Sequence, residues 1–125
     1  MAKKLEGAIN LSKSPVQFKA DGSIEPVVQR GRAHPNVDGR LAGEARMARS
    51  APHAGEMHLD GDELLYLVDG AVELILDEAS GERCVPLRPG QAAVVPRGVW
   101  HRVVVQKPCC LLYFTPGRSQ VRWKR

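Results

Sequence analysis

The sequence has few of the features that mark membrane, secreted or disulfide-rich proteins. It contains no run of apolar residues near the roughly 20 that a membrane-spanning helix needs. The N-terminal MAKKLEGAINLSKSP lacks the apolar middle region of a secretory signal, so we expect a cytoplasmic protein. Cys84, Cys109 and Cys110 are the only cysteines, an odd number without CxxC spacing. This argues against a disulfide framework and a zinc knuckle and predicts reduced thiols, with Cys109 or Cys110 packing as a small hydrophobic side chain.

Aromatic residues make up only 5% of the chain, which weakens a nucleic-acid interpretation of its net charge of +4. Basic residues cluster at the two ends, at Lys3, Lys4, Arg118, Arg122, Lys124 and Arg125, without a recognisable binding motif. A solvated basic tail explains them better, and we expect neither a nucleic-acid nor a membrane partner. The length of 125 residues, with 43% hydrophobic residues, is typical of one compact domain.

Turn residues divide the chain at short, regular intervals, which is typical of an all-β sandwich or barrel. Residues 1–36 are rich in Pro, Gly and polar residues and predict an irregular N-terminal arm with one or two short strands. The barrel is expected over residues 37–118 and a basic tail over 119–125. Candidate strands are residues 41–48, 63–68, 71–76, 83–87, 91–95, 101–105 and 109–114. Asp69-Gly70 predicts a hairpin between the second and third of these, and Lys107-Pro108 a break between the last two.

The segment ELLYLV is apolar on both faces of a predicted strand. Alternation places Glu63 and Leu65 on one face and Leu64, Tyr66 and Val68 on the other. An antiparallel sheet normally leaves one face in water, so the second apolar face predicts a cover, either the N-terminal arm or a second subunit. We therefore expect a homodimer.

Charged residues crowd the stretch GEMHLDGDE, where burial would be costly unless the charges were paired or bound to a cation. Glu56 and His58 project from one face of a strand, and a turn containing Asp60 and Asp62 reverses the chain before Glu63. His101 opens another strand after the corner Pro-Arg-Gly. Two imidazoles and one or two carboxylates meeting inside a barrel are suitable ligands for a divalent metal, whereas the two aspartates are better explained as turn formers.

Both segments resemble the motifs of the cupin superfamily, G(x)5HxH(x)3-4E(x)6G and G(x)5PxG(x)2H(x)3N. The second motif matches at Gly90, Pro96, Gly98 and His101, with Val105 in place of its asparagine. The first matches at His58, Glu63 and Gly70, with Ser50 in place of its leading glycine and Glu56 in place of its first histidine. The resemblance implies a single-domain jelly-roll β-barrel.

In cupins the corresponding side chains bind a divalent metal. The resemblance therefore implies His58, Glu63 and His101 as ligands, with Glu56 as a substitute fourth ligand. Such a 2-His-2-carboxylate set favours Mn, Fe, Ni or Zn without selecting one. His53 could replace Glu56 only through a bulge at Ala54-Gly55, since five residues from His58 is the wrong parity for a regular strand.

Two functions follow from the resemblance. The first is a metal-dependent dioxygenase, isomerase or decarboxylase acting on a small polar or carboxylate-bearing metabolite, with Glu56 as a candidate base if it is not a ligand. The second is a barrel that binds or senses a small molecule or metal without turnover, and a structural or storage role is a weaker third hypothesis. Among nearby residues, Trp100 could line a pocket, while Tyr66 is expected to pack and Arg46 to face solvent.

Overall fold

The computed structural model describes residues 7–27 and 39–123, and within these ranges the chain forms strands but no helix. The all-β prediction is therefore confirmed. Residues 1–6 and 28–36 of the predicted arm and 124–125 of the predicted tail lie outside the described residues. The strands are β1 (Val16–Phe18), β2 (Ile24–Pro26), β3 (Arg40–Met47), β4 (Gly55–His58), β5 (Glu63–Glu78), β6 (Gly81–Leu87), β7 (Ala92–Val95), β8 (Trp100–Pro116) and β9 (Ser119–Arg122).

Two long antiparallel strands, β5 and β8, organise the fold. The first half of β5 pairs with β7 and with the second half of β8, which continues to β3, β1 and β2. The second half of β5 pairs with β6 and with the first half of β8, which continues to β4 and β9. The result is a curled sheet whose two halves share β5 and β8, as in a jelly roll.

The hydrophobic core lies between these halves. Alternation along the start of β5 confirms the predicted faces, because Leu65 and Leu67 are buried whereas Leu64 and Val68 are exposed. Cys109 packs in the same core, and all three cysteines are free thiols within the described residues. The buried members of the core are Leu65, Leu67, Val72, Leu74, Leu76, Leu87, Val95, Cys109 and Leu111.

The predicted hairpin at Asp69-Gly70 is wrong, because β5 continues through it without reversing. Instead, the pairing of β5 with β8 shifts register between Leu67 and Val72. Gly70 adopts a φ of +91°, which suits glycine, and the bulge changes the parity of the strand. Buried side chains are odd-numbered before it and even-numbered after it, so both halves of β5 face the core.

The predicted break at Lys107-Pro108 is also wrong, because β8 runs through it as one strand. Inside the predicted tail, β9 pairs with β4. The tail segment therefore borders the strand that carries Glu56 and His58. Within the described ranges no helix is both long and apolar enough to cross a membrane.

Candidate metal centre

Strands β4 and β8 place three polar side chains on one face of the sheet. Glu56 is directly opposite His101 in the antiparallel pair, so their side chains project to the same side. His58 lies two residues beyond Glu56 and shares that face. One potential ligand atom from each of these three residues lies within 4.8 Å of the others. This Glu/His/His group could hold a metal ion.

Glu63 meets the same group from the start of β5. Its Oε2 lies 3.1 Å from His58 Nε2, and its Oε1 lies 3.1 Å from His101 Nε2. Thr115, on the neighbouring part of β8, donates a hydrogen bond of 2.5 Å to Oε2. His58, Glu63 and His101 are almost fully buried, with exposed side-chain fractions of 2%, 5% and 5%. The structure thus brings together all four residues that the sequence singled out.

The hydrogen bonding of His58 fits a metal ligand. Its Nδ1 lies 2.9 Å from Ser119 Oγ, so with Nδ1 protonated the ring donates to that hydroxyl and leaves Nε2 with a free lone pair. Nε2 is buried, lies 3.1 Å from Glu63 Oε2 and has no hydrogen-bond partner of good geometry among the described residues. Metal-binding histidines characteristically use one ring nitrogen in this way and offer the other to the ion. The donor set therefore fits a divalent cation.

The corner before His101 is hydrogen-bonded to the end of β4 and to the turn that precedes β5. Gly98 N donates a hydrogen bond of 2.9 Å to the carbonyl of His58, and Arg97 N donates one of 2.9 Å to Asp62 Oδ1. Gly98 has a φ of +76°, which explains why the motif has glycine there. Asp60 accepts hydrogen bonds from the backbone and guanidinium of Arg118. Both aspartates therefore serve the turns.

The ionisable side chains of the site change one another's pKa values. Burial by itself raises the pKa of Glu63, but the neighbouring imidazoles, His101 foremost, outweigh it and lower the pKa to about 2. Burial opposes the charged form of His101, yet Glu63 and the charge of Glu56 raise its pKa above the ordinary value. Glu63 is therefore a carboxylate at neutral pH, which is the form that a cation needs.

A cavity of about 140 Å³ opens beside the group. Burial, together with the charges of Glu56 and Glu63, raises the pKa of Tyr113, so the phenol in its wall stays protonated at neutral pH. The wall combines a mainly apolar surface with these polar side chains. It is formed by Ala45, Met47, Ala51, His53, Glu56, Glu63, Leu65, His101, Arg102, Val103, Leu111 and Tyr113.

Three other side chains considered from the sequence do not line this cavity. Tyr66 is partly buried on the opposite face of β5 from Glu63, as its parity predicted. The guanidinium of Arg122 lies over the Trp100 ring, 4.6 Å from its centroid. Arg46 pairs with Glu44 and is exposed.

Sequence reasoning missed Tyr113, Thr115 and Ser119. They follow the end of the second motif at Val105 by eight or more residues, and only the pairing of β3, β4, β5, β8 and β9 brings them to the site. One usable signal was Gly43, a glycine inside a predicted strand, which is typical of a close approach by another group. Gly43 lies opposite Tyr113 in the register of β3 and β8.

Residues 44–115 match the family model of the cupin domain. The chain belongs to the cupin family. The match spans more than half of this cupin and contains all four residues of the polar group. A search of the curated proteins finds no sequence match.

Solved structures share the fold. KdgF from Halomonas sp. is 28% identical with a TM-score of 0.51, and the alignment covers 69% of this cupin and 76% of KdgF. A cupin-2 domain containing protein from Shewanella frigidimarina is 18% identical with a TM-score of 0.53, covering 68% and 78% of the two chains. Salicylate 1,2-dioxygenase from Pseudoaminobacter salicylatoxidans, solved as an adduct with gentisate, is 15% identical with a TM-score of 0.55, covering 66% of this chain and 24% of that one.

Proposed function

We propose that this cupin binds one divalent metal ion, Mn, Fe, Ni or Zn, through Glu56, His58, Glu63 and His101. The observation that carries the proposal is the buried Nε2 of His58, which has no hydrogen-bond partner among the described residues and lies beside an ionised carboxylate. With the proton of His58 on Nδ1, a lone pair of Nε2 faces a carboxylate, which is unfavourable, and a cation between them removes that cost. Ser119 supports this arrangement by engaging the other ring nitrogen.

We further propose that the cavity takes up a small polar or carboxylate-bearing metabolite, as a metal-dependent dioxygenase, isomerase or decarboxylase. Its volume of about 140 Å³ is below the roughly 300 Å³ at which drug-sized pockets begin, so a metabolite of few heavy atoms suits it. A bound divalent ion would polarise a carbonyl or carboxylate group of that ligand. The protonated phenol of Tyr113 can donate a hydrogen bond to it, and the mainly apolar wall can pack against its carbon atoms.

Metal analysis of the purified protein tests the metal site. We expect about one equivalent per chain, and a lower melting temperature after treatment with a chelator that recovers when metal is added. His58→Gln and His101→Gln should lose the metal. Glu44→Gln is the matched control, since that carboxylate pairs with the exposed Arg46 and should leave metal content unchanged. Absence of metal, with a melting temperature unaffected by Mn, Fe, Ni or Zn, would refute the site.

The alternative function is a binding or sensing cupin without turnover, and Glu56 separates the two. Glu56→Ala that keeps the metal but abolishes turnover supports an enzyme in which Glu56 is the base. Equal loss of metal and turnover identifies Glu56 as a ligand. If screening across small carboxylates finds binding to the wild type but no turnover, the binding module is the better description.

We propose a homodimer formed through the outer face of the sheet half that contains β1, β3, β5, β7 and β8. Leu64 and Val94 are register partners on this face, with exposed fractions of 38% and 54%. These two side chains form the exposed end of a row of apolar register partners that crosses five strands. The other end of the row is buried. The row consists of Val16, Ala42, Phe114, Leu64 and Val94.

Light scattering at micromolar concentration tests the dimer. Covering this exposed row with a second copy removes apolar area from water, so Val94→Lys should shift the protein toward monomer. Trp123→Lys is the control, because Trp123 is 64% exposed and lies outside the row. A wild-type protein that is monomeric throughout would contradict the proposal.

We place the protein in a reducing compartment, the cytoplasm. The proposal is supported by the three free thiols, which a reducing compartment keeps reduced. Fractionation of cells that express the native gene would test it.

A further inference from the structure

His53 contacts the one side chain at which this cupin departs from the family's metal-binding pattern. Glu56 stands where the first motif has a histidine, and His53 lies three residues before it. His53 Nε2 is 3.1 Å from Glu56 Oε1, and the exposed side-chain fractions are only 18% and 15%. A histidine is therefore present next to the altered position, but it faces the carboxylate and is not one of the three residues whose ligand atoms cluster.

The backbone that follows His53 is held by β9. Ala54 N donates a hydrogen bond of 2.7 Å to the carbonyl of Arg122, and Gly55 pairs with the same residue in β9. The His53 ring also packs edge-on against Trp123, with centroids 6.3 Å apart and an interplanar angle of 81°. These contacts fix the imidazole relative to β4, so its distance from Glu56 is a property of the fold.

We propose that His53 is a positioning residue that orients Glu56 toward the metal ion, an inference that rests on the proposed metal site. Nε2 lies 3.1 Å from Oε1, close enough to hold the carboxylate by its N–H while a Glu56 oxygen clusters with the ligand atoms of His58 and His101. A glutamate side chain loses rotamer freedom when it binds a metal, and a side-chain contact already present in the metal-free protein reduces that loss. The pair His53 and Glu56 thus replaces the single imidazole of the family pattern.

Hydrogen-bond partners of metal ligands typically change metal affinity by about 10- to 100-fold when removed. We therefore expect His53→Leu, which removes the donor, to weaken Zn²⁺ binding by about that factor. His53→Gln retains an N–H donor and should recover most of the affinity. The affinities are measured by competition with a chromophoric chelator, and the absorption spectrum of the Co²⁺-loaded protein should change with His53→Leu.

A double-mutant cycle shows whether His53 acts through Glu56. In a Glu56→Ala background, His53→Leu should change Zn²⁺ affinity by less than about 2-fold, because the side chain that His53 orients is gone. Ser50→Ala is the matched control for disturbance of the segment before β4, since Ser50 Oγ accepts a hydrogen bond from Val105 N. It should leave Zn²⁺ affinity within about 2-fold of the wild type.

The outcomes distinguish this inference from the proposed metal site. If the wild type binds Zn²⁺ and His53→Leu binds it equally well, the positioning role is overturned and the metal site stands. The role is also overturned if His53→Leu causes the same loss with and without Glu56. If the wild type binds no metal, both proposals fall.

Discussion

Gly43 on β3 lies against the phenol ring of Tyr113 on β8. A Cβ atom at residue 43 would overlap the Tyr113 hydroxyl and come within 2.5 Å of Cζ. Gly43 does not have a positive φ, so its backbone conformation does not require glycine. Glycine is needed there because a side chain would occupy the space of the Tyr113 ring. The phenol lines the cavity only because this strand position is empty.

Gly43→Ala should therefore destabilise the protein by about 1–3 kcal/mol, since a methyl group would be forced into an occupied space. Urea unfolding measures the change. Tyr113→Phe should not relieve it, because the overlap also involves ring carbons. Gly43→Ala should be much less costly in a Tyr113→Ala background, and an equal cost there would show that the ring is not the cause.

Gly70 differs from Gly90 in its surroundings although the two have nearly equal φ angles, +91° and +90°. A Cβ at residue 70 would overlap the Pro108 carbonyl and lie 2.7 Å from Cys109 Cα, whereas none of the described atoms lies within 4 Å at residue 90. Gly90→Ala should cost about 1 kcal/mol for backbone strain alone. Gly70→Ala should cost at least about 2 kcal/mol more, because β5 and β8 must separate at the bulge. Similar melting temperatures for the two variants would disprove this.

Thr115 donates a buried hydrogen bond to Glu63. Removing a donor to a charged group costs about 1.5–3 kcal/mol, so Thr115→Val should lower the free energy of unfolding of the metal-free protein by that amount. Thr115→Ser keeps the hydroxyl and should lose much less. A Thr115→Val protein as stable as the wild type would mean that the hydroxyl does not stabilise the site.

The metal-free protein should lose stability at both ends of the pH range. Glu63 has a folded pKa of about 2 against an ordinary 4.5, so its contribution is present above pH 4.5 and is lost as the pH falls toward 2. His101 has a folded pKa above its ordinary 6.5, so its contribution is complete below pH 6.5 and is lost as the pH rises through the folded pKa.

Urea unfolding of the chelator-treated protein across this range measures both losses. Glu63→Gln should flatten the acidic arm, and it should also weaken the alkaline arm because Glu63 is the main partner that raises the pKa of His101. A wild-type profile without an acidic arm would contradict the assignment. Metal affinity should rise with pH over the same alkaline range, because protons compete with the ion for His101.

Much of the site could be predicted from local sequence. Side-chain alternation put Glu56 and His58 on one face, and Pro96, Gly98 and His101 have the spacing of a corner that leads into a strand. These features depend on backbone geometry over a few residues, so they are already present in the sequence pattern. The same is true of the alternating burial of Leu64 and Leu65.

The predicted hairpin at Asp69-Gly70 and the predicted break at Lys107-Pro108 were wrong because each local signal is compatible with two structures. Asp-Gly provides a residue that tolerates positive φ, and such a residue can close a hairpin or form a bulge. Only the need of both halves of β5 to face the same core selects the bulge at Gly70. Pro108 similarly permits a break, yet β8 continues through it because β3 and β5 pair with the strand beyond.

The sequence by itself determined the all-β fold, the cupin family and the four polar residues that meet in the barrel, since motif spacing and alternation are local properties of the chain. The tertiary structure decided which groups surround them. Thr115 reaches Glu63, Ser119 reaches His58 and His53 reaches Glu56 through pairings of strands and loops. The first two contacts join residues 52 and 61 positions apart, and no local pattern encodes such distances, because they follow from how the whole sheet curls around its core.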